Sequence, residues 1–108
     1  MPRFGRILQL REGKIEGYEK HHANVWPEVL DAVARSGISN YSIFRYNRLL
    51  FSYFELPEGT TLEQVNERLM RVPLCNEWEN LMHEYQEPLP ESRGSLYWVP
   101  MKEVWHLK

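Results

Sequence analysis

Two strand-like runs in the middle of this 108-residue chain carry apolar side chains at both odd-numbered and even-numbered positions. Ile43 alternates with Phe44 in the first run, and Leu50 alternates with Phe51 in the second. Because successive strand residues point to opposite sides of a sheet, both sides of this sheet must be covered. Helices can cover one side, and the other side then requires a partner sheet. The pattern therefore predicts a sheet with helices on one face and a homodimer formed through the other.

The order of the predicted elements is β-α-β-β-α-β. We expect strands at residues 4–11, 40–46, 49–56 and 99–107, with a hairpin connection at Asn47 and Arg48. The later helices are expected from Thr60 or Thr61 to residue 71 and over residues 74–85, followed by a proline-rich and charged loop at residues 88–94. This order is typical of the ferredoxin-like βαββαβ sandwich of the α+β class, here a dimeric α/β barrel, with residues 1–108 as a single domain.

Pro27 divides the first helical region into two parts. A proline inside a helix removes a hydrogen bond and collides with the preceding turn, but it suits the first helical position. We therefore expect a helix at residues 14–22, a break at residues 23–26 and a second helix at residues 27–36, capped by Gly37. Apolar or amphipathic residues recur through this region at steps of three and four: Ile15, Tyr18, His22, Val25, Val29 and Val33.

Charge, hydropathy and cysteine content exclude several classes of protein. A net charge of -2 argues against a nucleic-acid-binding protein, which usually carries a basic patch. No run approaches the roughly 18 apolar residues that a membrane span needs, and no signal peptide is visible. The single cysteine, Cys75, excludes an internal disulfide and is expected to be a small hydrophobic residue of the interior. These features predict a cytoplasmic protein with neither nucleic acid nor membrane as a partner.

Tyr18 and His22 stand four residues apart on the apolar side of the first predicted helix, so that a phenol and an imidazole face the interior together. Imidazole is suited to proton transfer near neutral pH, and the dipole at the end of this helix should favour its cation. Tyr41 could face the same cavity, and Trp26 and Trp78 offer flat apolar surfaces on which a sugar can stack. The alternative is that these residues are ordinary aromatic core.

The sequence predicts neither a metal site nor a bound cofactor. It contains no GxGxxG, Walker, nucleophile-elbow or HExxH motif. His21 and His22 are adjacent, so on a helix they point about 100° apart and cannot readily share an ion. We expect His21 to point to solvent, and Trp98 and Trp105 to lie in the core or in an interface.

Four segments resemble the L-rhamnose mutarotase family, and together they span nearly the whole chain. Residues 18–28, with the sequence YEKHHANVWPE, resemble the YxxxH…WPE segment of that family. Similar matches are the NYSI run at residues 40–43, the pair Trp78 and Met82, and the EVWHL run at residues 103–107. Members of the family are small ferredoxin-like homodimers that interconvert the α and β anomers of L-rhamnose without a cofactor.

The resemblance also implies roles for individual residues. It makes His22 the catalytic proton donor and Tyr18 a tyrosine that contacts the substrate, with Tyr41 and Trp78 beside the sugar. On this hypothesis His22 protonates the ring oxygen of the pyranose, while Tyr18, or a water that it holds, handles the C1 hydroxyl.

The chain departs from the family at one site position. Where the rhamnose enzymes carry two consecutive tryptophans, this chain has Trp78 followed by Glu79. A carboxylate in place of an aromatic wall could favour a related sugar such as L-fucose. Two alternatives stay open at this stage: a cofactor-free monooxygenase on the same scaffold, since one fold supports many activities, and a non-catalytic sugar-binding module.

Overall fold

A computed structural model describes residues 1–92 and 97–108. Its β-strands form one antiparallel sheet in the order β2-β3-β1-β4, with β5 also paired to β1. This is the strand order of the ferredoxin-like fold, so the predicted ferredoxin-like sandwich is confirmed for the single chain. The strands are β1 (Arg3–Leu10), β2 (Ser39–Tyr46), β3 (Leu49–Glu55), β4 (Gln86–Glu87) and β5 (Val99–Met101).

The edge of the sheet beside β1 is shared by two short strands. β4 pairs with Gln9 and Leu10, whereas β5 pairs with the stretch from Gly5 to Ile7. The prediction of a final strand over residues 99–107 is wrong in length, because the strand ends at Met101 and the residues after it are exposed and irregular. The predicted loop contains a short 3-10 helix, Pro90–Ser92, and its residues 93–94 lie outside the described residues.

The helices cover one face of the sheet, and two of the four begin at prolines. They are α1 (Ile15–His22), α2 (Pro27–Arg35), α3 (Leu62–Met70) and α4 (Pro73–His83). Pro27 and Pro73 both occupy an early helical position, where a backbone N–H would make no hydrogen bond within the helix. α4 therefore starts at Pro73, one residue before its predicted start, and it ends at His83, two residues before its predicted end. No helix in the described part of the chain is long and apolar enough to cross a membrane.

The two faces of the sheet differ in burial. On β3 the alternate residues Leu50, Ser52 and Phe54 are buried under the helices. The opposite face carries Phe44, which is 64 % exposed, and Tyr46, which is 69 % exposed. Helices thus cover one apolar face, as expected, and leave large aromatic side chains uncovered on the other.

A β-bulge sets the position of Tyr41. Between Ser39 and Ser42 the register of β2 shifts against β3, and Asn40 adopts a left-handed backbone conformation with φ of 49°. Asparagine tolerates this conformation better than most residues, and the Asn40 amide donates a hydrogen bond to Glu55 over 2.9 Å. The bulge leaves the Tyr41 ring 5.5 Å from the buried ring of Phe54, on the helix-covered side.

Gly17 allows close contact between α1 and the end of α4. A β-carbon at this position would lie 2.6 Å from Cε1 of Tyr85, which real side chains do not tolerate. The missing side chain therefore lets the Tyr85 ring lie against α1, the helix that carries Tyr18 and His22. Glycine weakens a helix, so this close packing offsets a local cost of about 1 kcal/mol.

The N-terminus of α3 provides a test of the local structure. Thr61, rather than Thr60, forms the capping box: its Oγ1 accepts from the Gln64 backbone, and its own backbone N–H donates to the Gln64 side chain over 3.0 Å. Thr61→Ala should lower the free energy of unfolding in urea by about 1 kcal/mol. Thr60→Ala is the matched control and should change it less. Equal losses in the two variants would contradict this assignment of the cap.

Candidate active site

A cavity of about 850 Å³ lies between the helices and the covered face of the sheet. This volume is within the usual range for small-molecule sites. Its walls combine aromatic, charged and amide side chains from helices and strands, among them Arg6, Tyr18, His22, Tyr41, Trp78 and Gln86. Four of the five side chains predicted to form a site therefore meet in one cavity.

His22 and Tyr18 form a stacked pair at the wall of this cavity. Their ring centroids are 4.2 Å apart and their planes differ by 26°. Nδ1 of His22 lies 3.2 Å from the backbone carbonyl oxygen of Tyr18, one helical turn earlier. Because a carbonyl only accepts, this contact requires a proton on Nδ1. In the neutral ring Nε2 then carries the lone pair, which is the arrangement of a proton acceptor.

Burial controls the charge of His22. It lowers the pKa of His22, and the neighbouring His21 lowers it further, while the hydrogen bond to the Tyr18 carbonyl acts in the opposite direction. The helix terminus favours the cation, as expected, but removing the ring from water costs more, so the net shift in the pKa is downward. His22 is thus neutral at neutral pH.

Two phenols of the cavity are protonated at neutral pH, as tyrosines ordinarily are, and desolvation raises the pKa of both. Tyr18 is only 3 % exposed, and desolvation raises its pKa even though the Gln86 amide acts to lower it. Desolvation likewise raises the pKa of Tyr41, against the opposing influence of Arg6, whose Nη2 lies 3.4 Å from the Tyr41 hydroxyl. Both side chains can therefore donate a hydrogen bond to an oxygen in the cavity.

Trp78 lines the cavity and Trp26 supports it from behind. The Trp78 ring meets His22 edge-on, with centroids 5.5 Å apart. The Trp26 ring packs against Trp78 at 5.1 Å and an interplanar angle of 75°, and it is not among the residues that line the cavity. The structure thus places Trp26 one layer away from the space in which a ligand could lie.

His21 was expected to point to solvent, and the structure places it against Tyr85 instead. It is half-buried, and its Nε2 lies 2.9 Å from the Tyr85 hydroxyl. The close approach of Tyr85 to Gly17 brings this hydroxyl within reach. A contact of this kind depends on tertiary packing between α1 and α4, and spacing within one helix does not indicate it.

Arg6 and Gln86 also line the cavity, although sequence reasoning did not single them out. The Arg6 guanidinium carbon lies 4.9 Å from the Phe54 ring centroid and 5.1 Å from that of Trp98. One signal could have revealed Arg6, because it has the same parity as the buried residues Leu8 and Leu10 of β1. No comparable signal marks Gln86, which lies in a strand of only two residues.

Cys75 and Trp105, for which sequence analysis also made predictions, differ in their exposure to solvent. Cys75 is a half-buried free thiol on the cavity wall. Trp105 is 76 % exposed, unlike Trp98, which packs over Arg6. Within residues 1–92 and 97–108, no group of three histidine, cysteine or acidic side chains is arranged to hold a metal ion.

Comparison with solved structures shows the fold. The chain superposes over its full length on an L-rhamnose mutarotase from Formosa agariphila, with a TM-score of 0.76 and 21 % identity over all of that chain. It also superposes over its full length on tetracenomycin F2 cyclase from Streptomyces glaucescens, a type-II polyketide cyclase, with a TM-score of 0.58 and 17 % identity over all of that chain. At these identities the similarity concerns the scaffold alone.

The fold and the cavity together define a small ferredoxin-like protein with a neutral histidine, two phenols and an aromatic wall around one pocket. The model of the L-rhamnose mutarotase family matches residues 3–107. The L-rhamnose mutarotase of Lactiplantibacillus plantarum is 34 % identical over 112 aligned positions, which cover 99 % of this chain and 99 % of that protein. The chain belongs to the L-rhamnose mutarotase family.

The lowered pKa of His22 can be tested by NMR titration. The midpoint of the His22 ring signals should fall below about 6.5, the ordinary value for histidine. In the unfolded chain the same ring has its ordinary pKa, so the unfolded state binds more protons as the pH falls below about 6.5. The free energy of unfolding should therefore decrease in that window.

The control for this titration is His22→Gln, which identifies the His22 signal by its loss. Its free energy of unfolding should decrease less than that of the wild type between pH 7.5 and pH 5. A midpoint at or above the ordinary histidine value would contradict the dominance of burial.

Proposed function

We propose that this chain is an isomerase that interconverts the α and β anomers of L-rhamnose or a closely related deoxyhexose. Membership of the L-rhamnose mutarotase family supports the reaction. The observation that carries the proposal is the neutral His22 ring, stacked on Tyr18, with Nδ1 engaged by a backbone carbonyl and Nε2 left for the ligand. The reaction needs one proton removed and one delivered, which a neutral imidazole can do in turn.

The proton path follows from the chemistry of the pyranose. Nε2 of His22 takes the proton of the C1 hydroxyl, the C1–O1 bond becomes a carbonyl, and the bond from C1 to the ring oxygen breaks. The ring oxygen then takes the proton from the His22 cation. Because both oxygens are attached to C1, one nitrogen can serve both, and His22 acts as proton donor after it has accepted a proton. Rotation about C1–C2 and the reverse steps give the other anomer.

The remaining cavity residues bind and orient the sugar. Tyr18 and Tyr41 stay protonated and donate hydrogen bonds to sugar oxygens, including the carbonyl oxygen that forms at C1. Trp78 offers its ring to the C–H face of the sugar, and Trp26 holds that ring in place. Glu79 also lines the cavity, so a carboxylate stands where the family has a second tryptophan. The replacement of an aromatic ring by a carboxylate changes the surface that the sugar meets, so L-rhamnose and L-fucose are compared below.

Replacement of His22 tests the reaction directly. In an NMR saturation-transfer experiment the α H1 signal of L-rhamnose is saturated and the β H1 signal is followed, and the experiment is repeated with L-fucose. Transfer should be present with the wild type and fall by a factor of about 10² or more with His22→Gln, because the acid–base group is lost. The wild-type rate should also decrease as the pH falls through the pKa of His22.

The matched control is His106→Gln, which changes an exposed histidine outside the cavity and should leave the rate unchanged. Undiminished exchange in His22→Gln would exclude the proposed role of His22. Sugar binding without exchange in the wild type would identify a non-catalytic binding module. Oxygen consumption with an aromatic substrate would identify a monooxygenase.

We further propose that the chain acts as a single cytoplasmic domain that pairs with a second copy through the uncovered face of its sheet. Phe44 pairs with Phe51, and Tyr46 pairs with Leu49, so an apolar surface runs across β2 and β3. Ile7 of β1 pairs with Phe51 and extends this surface, and exposed apolar patches often mark an interface. The segment after β5 adds further exposed apolar residues, namely Val104, Trp105 and Leu107. A second copy with the same face would cover these groups symmetrically.

A charge on the uncovered face should separate the two copies. Phe44→Glu would bury a carboxylate between the sheets, so sedimentation velocity should show a shift from dimer to monomer. Met70→Glu is the matched control, because Met70 is 69 % exposed on the helix side and Phe44 is 64 % exposed on the sheet side. A monomeric wild type, or a dimer that survives Phe44→Glu, would contradict the proposed interface.

A further inference from the structure

Several buried polar atoms around the cavity have no hydrogen-bond partner. Within the described residues, the buried side-chain atoms without a partner are Nε of Arg6, Oε1 of Gln86 and the hydroxyl oxygens of Ser39 and Ser52. Buried polar atoms are nearly always paired, and each exception calls for an explanation. Arg6, Ser39 and Gln86 line the cavity, whereas Ser52 does not. The unpaired atoms thus concentrate where a ligand is expected.

Gln86 offers an acceptor in the wall of the cavity. The residue is 2 % exposed, and β4 holds it beside Leu10 at the edge of the sheet. Its amide interacts with the hydroxyl of Tyr18, which leaves the carbonyl oxygen as the unpaired atom. A buried carbonyl oxygen requires a donor, and a sugar hydroxyl is a donor of suitable size.

Arg6 offers a donor from the neighbouring strand. Its guanidinium lies between the rings of Phe54 and Trp98, and its Nη2 reaches the Tyr41 hydroxyl over 3.4 Å. These contacts restrict the orientation of the guanidinium and leave Nε–H unpaired. Arginine stays charged at all accessible pH values and has no acceptor atom, so Nε–H can be satisfied only by an oxygen or another acceptor.

We propose that Arg6 and Gln86 are substrate-binding residues that recognise hydroxyl groups of the sugar and fix its orientation relative to His22. Gln86 Oε1 accepts a hydrogen bond from a sugar hydroxyl, and Arg6 Nε donates one to a sugar oxygen. This inference rests on the proposed mutarotase function. A site that provides both a donor and an acceptor discriminates against analogues that lack the matching hydroxyl, because its buried groups are then left unpaired.

The test separates ligand binding from structural support. Gln86→Met and Arg6→Met keep the side-chain length and remove the unpaired atom. For L-rhamnose, each variant should raise KM about tenfold while kcat changes less, since a hydrogen bond to bound sugar is lost. Because the atom that each variant loses has no hydrogen-bond partner in the free protein, the unfolding temperature of each variant should decrease little.

Ser52→Ala is the matched control. It removes an equally buried and unpaired atom next to Arg6 in the sheet, but outside the cavity wall. Its KM should equal that of the wild type. An unchanged KM in both methionine variants would overturn the inference and show that water satisfies these atoms. A decrease in kcat and unfolding temperature without a change in KM would overturn it in favour of a structural role.

A direct binding measurement distinguishes failure of this inference from failure of the proposed function. L-Rhamnose is titrated into the wild type and the two variants, and binding is followed by calorimetry. If the wild type binds sugar without anomer exchange, the proposed function fails, while a tenfold loss of affinity in the variants still supports Arg6 and Gln86 as sugar-binding residues. If the wild type neither exchanges nor binds the sugar, both proposals are overturned.

Discussion

The packing of helices against a single face of the sheet is the interaction on which the rest of this structure depends. It buries alternate residues of β1 and β3, and the cavity lies in the same layer, with Arg6 and Gln86 among its lining residues. It also leaves the aromatic face around Phe44 open. The cavity and the proposed dimer surface are therefore two consequences of covering one side of a sheet that is apolar on both.

Burial also decides the chemistry of the site. In water, histidine titrates near neutral pH, and at a helix end its cation would be favoured. Under the helices the cost of desolvation exceeds that gain, so His22 rests as a neutral base beside the phenols of Tyr18 and Tyr41. The cavity thus presents one proton acceptor and two hydrogen-bond donors, which are the groups that the proposed mechanism of anomer interconversion uses.

Most of the fold could be predicted from local pattern. The prolines at 27 and 73 mark helix starts because their effect on the backbone is local, and alternation marks the strands because the strand period is local. The last strand was predicted too long, because residues after Met101 alternate in hydrophobicity without a neighbouring strand to pair with. The choice between Thr60 and Thr61 as cap likewise depended on the backbone angles of the folded chain.

The sequence by itself determined the covered sheet, the helix breaks and the pairing of Tyr18 with His22, because a spacing of four residues places two side chains together on any α-helix. Only the tertiary structure decided that Trp26 stands behind Trp78, that Gln86 lines the cavity and that His22 is uncharged. These properties arise from contacts between distant segments and from the removal of water. No local pattern in the chain encodes these properties, because each exists only once the helices have packed on the sheet.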